Sequence, residues 1–292
     1  MVSVPRIVPV LALVAAVLSA GATIFIRQGL RTSGALTGFW INVITGMITL
    51  WVLVAVTGGP GPVSGKAVAY FVLAGLVGTV AGRLFRFLAI DRVGASVATA
   101  LINLNPMIAT LLAIVLLGER VTLPIVLGTS VIVLGTVLLS LSGQHVGFKP
   151  RLLWLPILSA TFFGMVSILR KLGLGGTGPV MGTALNVTTA AFAFGGFMLV
   201  TGQREALIAR GRALRYFVAA GLMENTAVFL NIVALGMGTV SVVTPLYGSS
   251  PIFVLLLSFF FLRGVEILTA RVVAGTLLIV FGIYLLTALA GR

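Results

Sequence analysis

The chain contains no cysteine, one histidine and five acidic residues in 292. Without cysteine it has no disulfides, thiolate metal ligands or iron–sulfur clusters. One histidine and five scattered acids supply neither a metal cluster nor a nucleophile–base set, so an enzyme is not expected. His145 sits in a loop beside Lys149 and Arg151, a solvated setting. No glycine-rich phosphate loop is present, which argues against direct driving by ATP, and neither cofactor nor metal is expected. Long polar stretches are missing too: 8% of residues are charged, and the loops are too short for a soluble domain. What remains is hydrophobic, 59% of residues with a mean hydropathy of +1.22, far outside the range of water-soluble domains.

A helix needs about 20 apolar residues to cross roughly 30 Å of hydrocarbon. That window places spans at 8–30, 36–57, 67–90, 94–117 and 122–142, then at 152–172, 179–201, 214–236, 239–262 and 268–289. The runs are continuous rather than alternating, which excludes a β-barrel. The first run is too long for a signal-peptide core and ends in Arg27 and Arg31, so it reads as a span. The net charge of +14 is spread over the loops, where it meets lipid headgroups rather than nucleic acid. Its densest cluster, Arg204, Arg210, Arg212 and Arg215, reads as an interfacial stretch. More of the basic residues fall on the side of the odd-numbered loops; taken literally the positive-inside rule puts both termini outside, but the contrast is small and either orientation stays open.

The second half repeats the first. Tyr70 falls on Tyr216, Gly75 on Gly221, Pro106 on Pro251, Glu119 on Glu266, Gly128 on Gly275 and Gly135 on Gly282, at offsets of 145 to 147. Arg27-Gln28 falls on Arg170-Lys171, and Asn42 on Asn186. The expected fold is therefore an all-α membrane protein of ten transmembrane helices. It comprises two five-helix repeats, 1–146 and 147–292, around a central cavity. An odd number of spans per repeat inverts the second copy, the architecture of alternating-access transporters.

Function is expected where polarity enters the bilayer. Span four carries Asn103, Asn105 and Pro106; the matching part of span nine carries Tyr247, Ser249, Ser250 and Pro251. Proline breaks the hydrogen-bond ladder, so both spans are predicted to kink there, with Pro106 and Pro251 as gating points. The neighbouring amides and hydroxyls either line the cavity or mend the kink. Span three carries Arg83 and Arg86 on one face, and span eight carries Glu224 beside Asn225, with Asn231 further on. Their similar depth predicts that Glu224 pairs with Arg83 or Arg86; the alternative is that the arginines snorkel separately. Phe85 and Phe163 are candidate cavity aromatics, alongside Phe25, Phe162 and Phe229. Asn42 and Asn186 read as interhelical hydrogen-bonders and Gly78-x-x-x-Gly82 as a packing motif. Trp40, Trp51 and Trp154 read as interfacial anchors. Glu119-Arg120, and Arg263 with Glu266, read as loop or helix-start charges.

The run of Pro106, apolar residues, Gly118-Glu119, Thr122, Gly128 and Gly135 resembles the EamA repeat of the drug/metabolite transporter superfamily. The second copy is looser, with Glu266, Thr269, Gly275 and Gly282 matching. The chain also looks similar to the bacterial exporters of aromatic amino acids in that group. The resemblance implies a cavity lined mainly by spans one, three, four, six, eight and nine, with spans five and ten peripheral. Small multidrug relatives carry a glutamate in their first span, which this chain lacks, so proton exchange through that position is not expected. The resulting expectation is a multi-pass protein of the bacterial inner membrane that exports amino acids by facilitated diffusion or secondary coupling. A multidrug or other metabolite transporter is the alternative within transport. The expected partners are a small-molecule substrate and membrane lipid, not nucleic acid, and the expected state is a monomer or weak homo-oligomer.

Overall fold

In hydrocarbon every backbone N–H and C=O must find its partner within the segment, so uninterrupted apolar runs become helices. A computed structural model of the chain describes residues 5, 7–93, 98, 101–141, 150–203, 208, 210–261 and 270–286, and among these it contains helices and no strand. Six helices are long and apolar enough to cross a membrane: Ile7–Gly29, Ala35–Val56, Gly65–Ala89, Trp154–Gly173, Pro179–Val200 and Gly211–Met237. These are spans one, two, three, six, seven and eight. Span five is Leu123–Leu141 and span ten is Ala270–Tyr284. Spans four and nine are broken, the first continuing as Asn105–Leu117 and the second divided into Val240–Tyr247 and Ser250–Phe261. The outward faces are apolar: Phe192 is 75% exposed and Val115 70%, as lipid-facing side chains require. His145, Arg204, Arg263, Glu266 and Thr269 lie outside the described residues.

The packing exchanges between repeats. Span one packs on spans eight and nine of the other repeat, and its equivalent, span six, packs on spans three and four. Span two lies against span eight as span seven lies against span three, while the pairs two–seven and five–ten close the arrangement on themselves. Phe217 of span eight is fully buried against Gly29 and Gly38 of the first hairpin. Phe71 of span three is fully buried against Gly173 and Gly182 of the equivalent hairpin. Each phenylalanine fills a cleft that only glycine leaves open. The two repeats are thus interleaved. Spans one, two, eight and nine form one bundle, and spans six, seven, three and four form the other.

Spans five and ten record the inversion directly. A Cβ at Gly128 would lie 3.1 Å from the Gly282 carbonyl oxygen, and a Cβ at Gly135 would lie 2.7 Å from that of Gly275. Moving up span five moves down span ten, so these equivalent helices run antiparallel. The glycines allow their backbones to touch.

Candidate functional site

The site begins in the middle of span three. Residues Gly75–Gly82 form a π-helix between the α-helices Gly65–Ala74 and Arg83–Val93. Such a widened segment rotates everything after it relative to a continuous α-helix and is frequent at functional positions. Two of its glycines face span six closely: Gly78 meets Val166, and a Cβ at Gly82 would lie 3.0 Å from the Phe163 ring, while Gly75 faces Asn186 and Thr189 of span seven. The packing reading of Gly78-x-x-x-Gly82 therefore stands. Ser159 of span six donates to the Gly82 carbonyl at 2.8 Å, satisfying an acceptor at the end of the widened turn. Arg83 and Arg86 follow immediately.

Glu224 pairs with Arg86 rather than Arg83: Arg86 Nη1 lies 3.5 Å from Glu224 Oε1. Arg86 Nη2 donates to Thr23 Oγ1 of span one at 2.9 Å, and Thr23 in turn donates to the Ser19 carbonyl at 2.9 Å. Arg83, 4% exposed, instead donates through Nη1 to Asn42 Oδ1 of span two at 3.0 Å. Neither arginine snorkels to the surface. Glu224 Oε2 and Arg83 Nη2 are buried without a hydrogen-bond partner, an arrangement that costs several kcal/mol where a charge is involved.

Asn186, the counterpart of Asn42, donates to Thr79 of span three at 2.7 Å and lies 3.5 Å from Nη2 of Arg170 in span six. Asn225 of span eight stands where Thr79 stands in the first repeat. It donates to the Asn42 carbonyl at 3.0 Å and to the Gly221 carbonyl at 2.7 Å. Asn225, a predicted binding residue, thus directs its amide N–H groups to backbone carbonyls and ties span eight to span two.

Both predicted kinks are full breaks, two to three residues ahead of the prolines. Span four turns at Asn103–Leu104 and span nine at Gly248–Ser249, with Pro106 and Pro251 in the first turns of the following helices. Proline suits that place because its missing N–H has no helical partner there. Asn105 Nδ2 donates to the Ile102 carbonyl at 3.0 Å, and Ser249 Oγ to the Leu246 carbonyl at 2.6 Å. Asn105 and Ser249 therefore mend the breaks, and Ser249, fully buried, presents nothing to a cavity. Asn103 Nδ2 is buried and unpartnered, while Ser250 is half-buried. The two breaks touch: a Cβ at Gly248 would lie 2.8 Å from Pro106 Cγ. Tyr247, at the edge of the second break, lies close to Ser19 of span one and within electrostatic reach of Glu224, Arg86 and Arg83. The symmetric breaks and the asymmetric charges meet at this tyrosine.

Phe85 stacks on Phe162 with ring centroids 5.8 Å apart and meets Trp154 edge-on, with Phe163 half-buried beside the same cluster. Trp51 donates across to Thr188 of span seven at 2.8 Å, so it joins two spans. Glu119 is not a solvated loop charge. Its carboxylate accepts from the backbone amides of Val240 and Ser241 at 2.8 and 3.0 Å and from the Ser241 hydroxyl at 2.7 Å. It thereby caps the first helix of span nine. Lys171 of span six donates to the Leu235 and Gly238 carbonyls at 2.6 and 2.7 Å, capping the end of span eight. Both charges complement the helix dipoles.

Sequence reasoning missed Ser19, Thr23, Thr79 and Arg170 as members of this site. Single hydroxyls in an apolar run carry no distinctive pattern, but the pairing of Arg170-Lys171 with Arg27-Gln28 marked a position to inspect.

A model of the EamA-like transporter family matches residues 6–141 and again 151–288. No curated protein matches the chain. A solved structure titled only as the crystal structure of a protein shares the fold, with a TM-score of 0.80 at 17% identity over 97% of each chain. Two matches of one family model, over an interleaved pair of five-span repeats, make this chain a multi-pass membrane protein of the EamA-like transporter family, within the drug/metabolite transporter superfamily.

Proposed function

We propose that the chain exports small carboxylate-bearing metabolites, amino acids with aromatic or other apolar side chains first among them, in a bacterial inner membrane. The observation that supports this reading is the convergence at Tyr247 of a broken helix, the Arg86–Glu224 pair and Ser19. Irregular backbone and ionisable side chains at membrane depth are tolerated where they serve a solute path. A substrate carboxylate would be received by the guanidinium groups of span three and its ammonium by the open Oε2 of Glu224. Phe85 and Phe163 would flank the side chain. Asn103 and Ser250 remain available at the breaks; Pro106 and Pro251 would serve as hinges.

Transport would proceed by alternating access, as facilitated diffusion or secondary coupling. The moving bodies would be the two interleaved bundles rather than the halves 1–146 and 147–292, because each hairpin is wedged into the other repeat. Glu119 and Lys171 join the bundle of spans three, four, six and seven to the turn between spans eight and nine. They would latch that side of the molecule shut. Lipid is the expected surroundings, and a monomer or weak homo-oligomer the expected state.

The test is efflux from proteoliposomes loaded with a panel of amino acids, with and without an imposed pH gradient. Saturable release of phenylalanine, tyrosine or tryptophan without ATP is expected, and the gradient's effect separates uniport from proton coupling. Release no faster than from protein-free vesicles for every member would overturn the reading.

A further inference from the structure

Charge does not balance inside the spans. Arg83, Arg86 and Arg170 lie within or at the edge of the buried network, and Arg83 and Arg170 are 4% and 8% exposed. Of the five acids in the sequence, Asp91 and Glu119 lie at the ends of spans three and four, Glu205 and Glu266 lie outside the described residues, and among the described residues Glu224 alone is in mid-span. Glu224 is engaged by Arg86. Arg83 and Arg170 lie within electrostatic range of each other and of Glu224, which Arg86 already holds; among the described residues their side-chain hydrogen-bond partners are the neutral oxygens of Asn42 and Asn186. Both keep an unsatisfied donor: Nη2 of Arg83 and Nε of Arg170 are buried with no hydrogen-bond partner. These are guanidinium nitrogens, so unlike an amide they cannot be turned into acceptors by a flipped assignment.

A buried cation is retained against its desolvation cost when an anion completes it, and a planar guanidinium fits a carboxylate in particular. A zwitterion brings no net charge and would leave the imbalance as it is. We infer that the transported species carries a net negative charge, an organic carboxylate without a compensating ammonium, with Arg83 and Arg170 as its charge-selecting residues. This rests on the reading of the chain as a transporter of small carboxylate-bearing metabolites, and it moves amino acids from the head of that class: of two molecules with one skeleton, the anion is favoured over the zwitterion. The aromatic cluster of Phe85, Phe162 and Phe163 beside the arginine-bearing helix favours a carboxylate with an apolar body over an inorganic anion.

Phenylalanine and phenylpyruvate form a matched pair, differing by the replacement of an ammonium-bearing carbon with a keto group. In proteoliposomes of the full chain, flux and mutual competition are measured for both. Phenylpyruvate is expected to compete about tenfold more strongly. In Arg170→Gln that preference should shrink towards unity, whereas Arg170→Lys, which keeps the charge, should retain most of it. Thermal stabilisation of the detergent-purified variants by phenylpyruvate gives a second readout that does not depend on flux. If phenylalanine moves and competes as well as or better than phenylpyruvate, the inference falls and the transporter reading stands. If the preference survives unchanged in both Arg83→Gln and Arg170→Gln, the assignment of these residues falls. If no panel member moves, both the transporter reading and this inference are overturned.

Discussion

Asn42 and Asn186 occupy the same place in the two repeats, and each has an arginine beside its side-chain oxygen. Yet Asn42 takes Arg83 from span three, while Asn186 faces Arg170 from span six. Arg27, the true counterpart of Arg170, is exposed, and the counterpart of Arg83 is Phe229. The backbone contacts around the asparagines obey the pseudo-symmetry; the charges do not. Shape is held in common by the two halves, as an inverted-repeat machine requires. Chemistry is placed once, on one side of the axis, as recognition of an asymmetric solute requires.

Changes at shape-determining positions should act alike in both repeats, and changes at charged positions should not. The largest effect is expected at the crossing of spans five and ten. Gly135→Leu and Gly282→Leu should each prevent recovery of monodisperse protein from detergent, because the backbones are too close for any side chain. Next, Phe71→Ala and Phe217→Ala should each lose about 3–5 kcal/mol of stability and match one another, since each empties an equivalent cleft. Unequal losses in thermal or denaturant unfolding would break the symmetry claim. The charged pair should differ. Arg170→Gln, which removes a buried guanidinium with an unsatisfied donor, should raise stability by about 1–3 kcal/mol, whereas Arg27→Gln, at the surface, should stay within about 0.5 kcal/mol of the parent.

Smaller effects sharpen the account of the latch. Glu119→Gln weakens the cap on span nine without emptying space, and a change of about 1–2 kcal/mol is a factor of about 5–30 in a conformational equilibrium. The chain has no cysteine, so a single Val242→Cys can be labelled without background. Its rate with a membrane-impermeant maleimide should rise by that factor when Glu119→Gln is added. A small effect is also expected for Trp51→Phe, which removes one interhelical hydrogen bond of about 0.6 kcal/mol.

The sequence carried the class of fold because hydrocarbon leaves a chain so few options, and the repeated glycines, prolines and tyrosines made the inversion legible. The breaks in spans four and nine were readable from Pro106 and Pro251, although the turns precede them. The Arg86–Glu224 pair could be placed by counting residues from the span ends. The interleaving could not. That Phe217 enters a cleft between Gly29 and Gly38, rather than one in its own repeat, is a fact of tertiary packing between residues nearly 190 positions apart. The π-helical segment was equally hidden, since Gly75, Gly78 and Gly82 are what a packing motif also looks like. Arg170 was overlooked because a basic residue in the last turn of a span ordinarily reaches water; here Asn186 and the adjacent span three enclose it.

The most direct test of the central claim, that the charges gathered at the broken helices are the solute site, is flux through reconstituted protein carrying Glu224→Gln or Arg86→Gln, with Arg27→Gln as the surface control. The account predicts that the two interior variants lose most of the transport while remaining folded, and that the control moves solute at the parental rate. Parental rates in all three would contradict it.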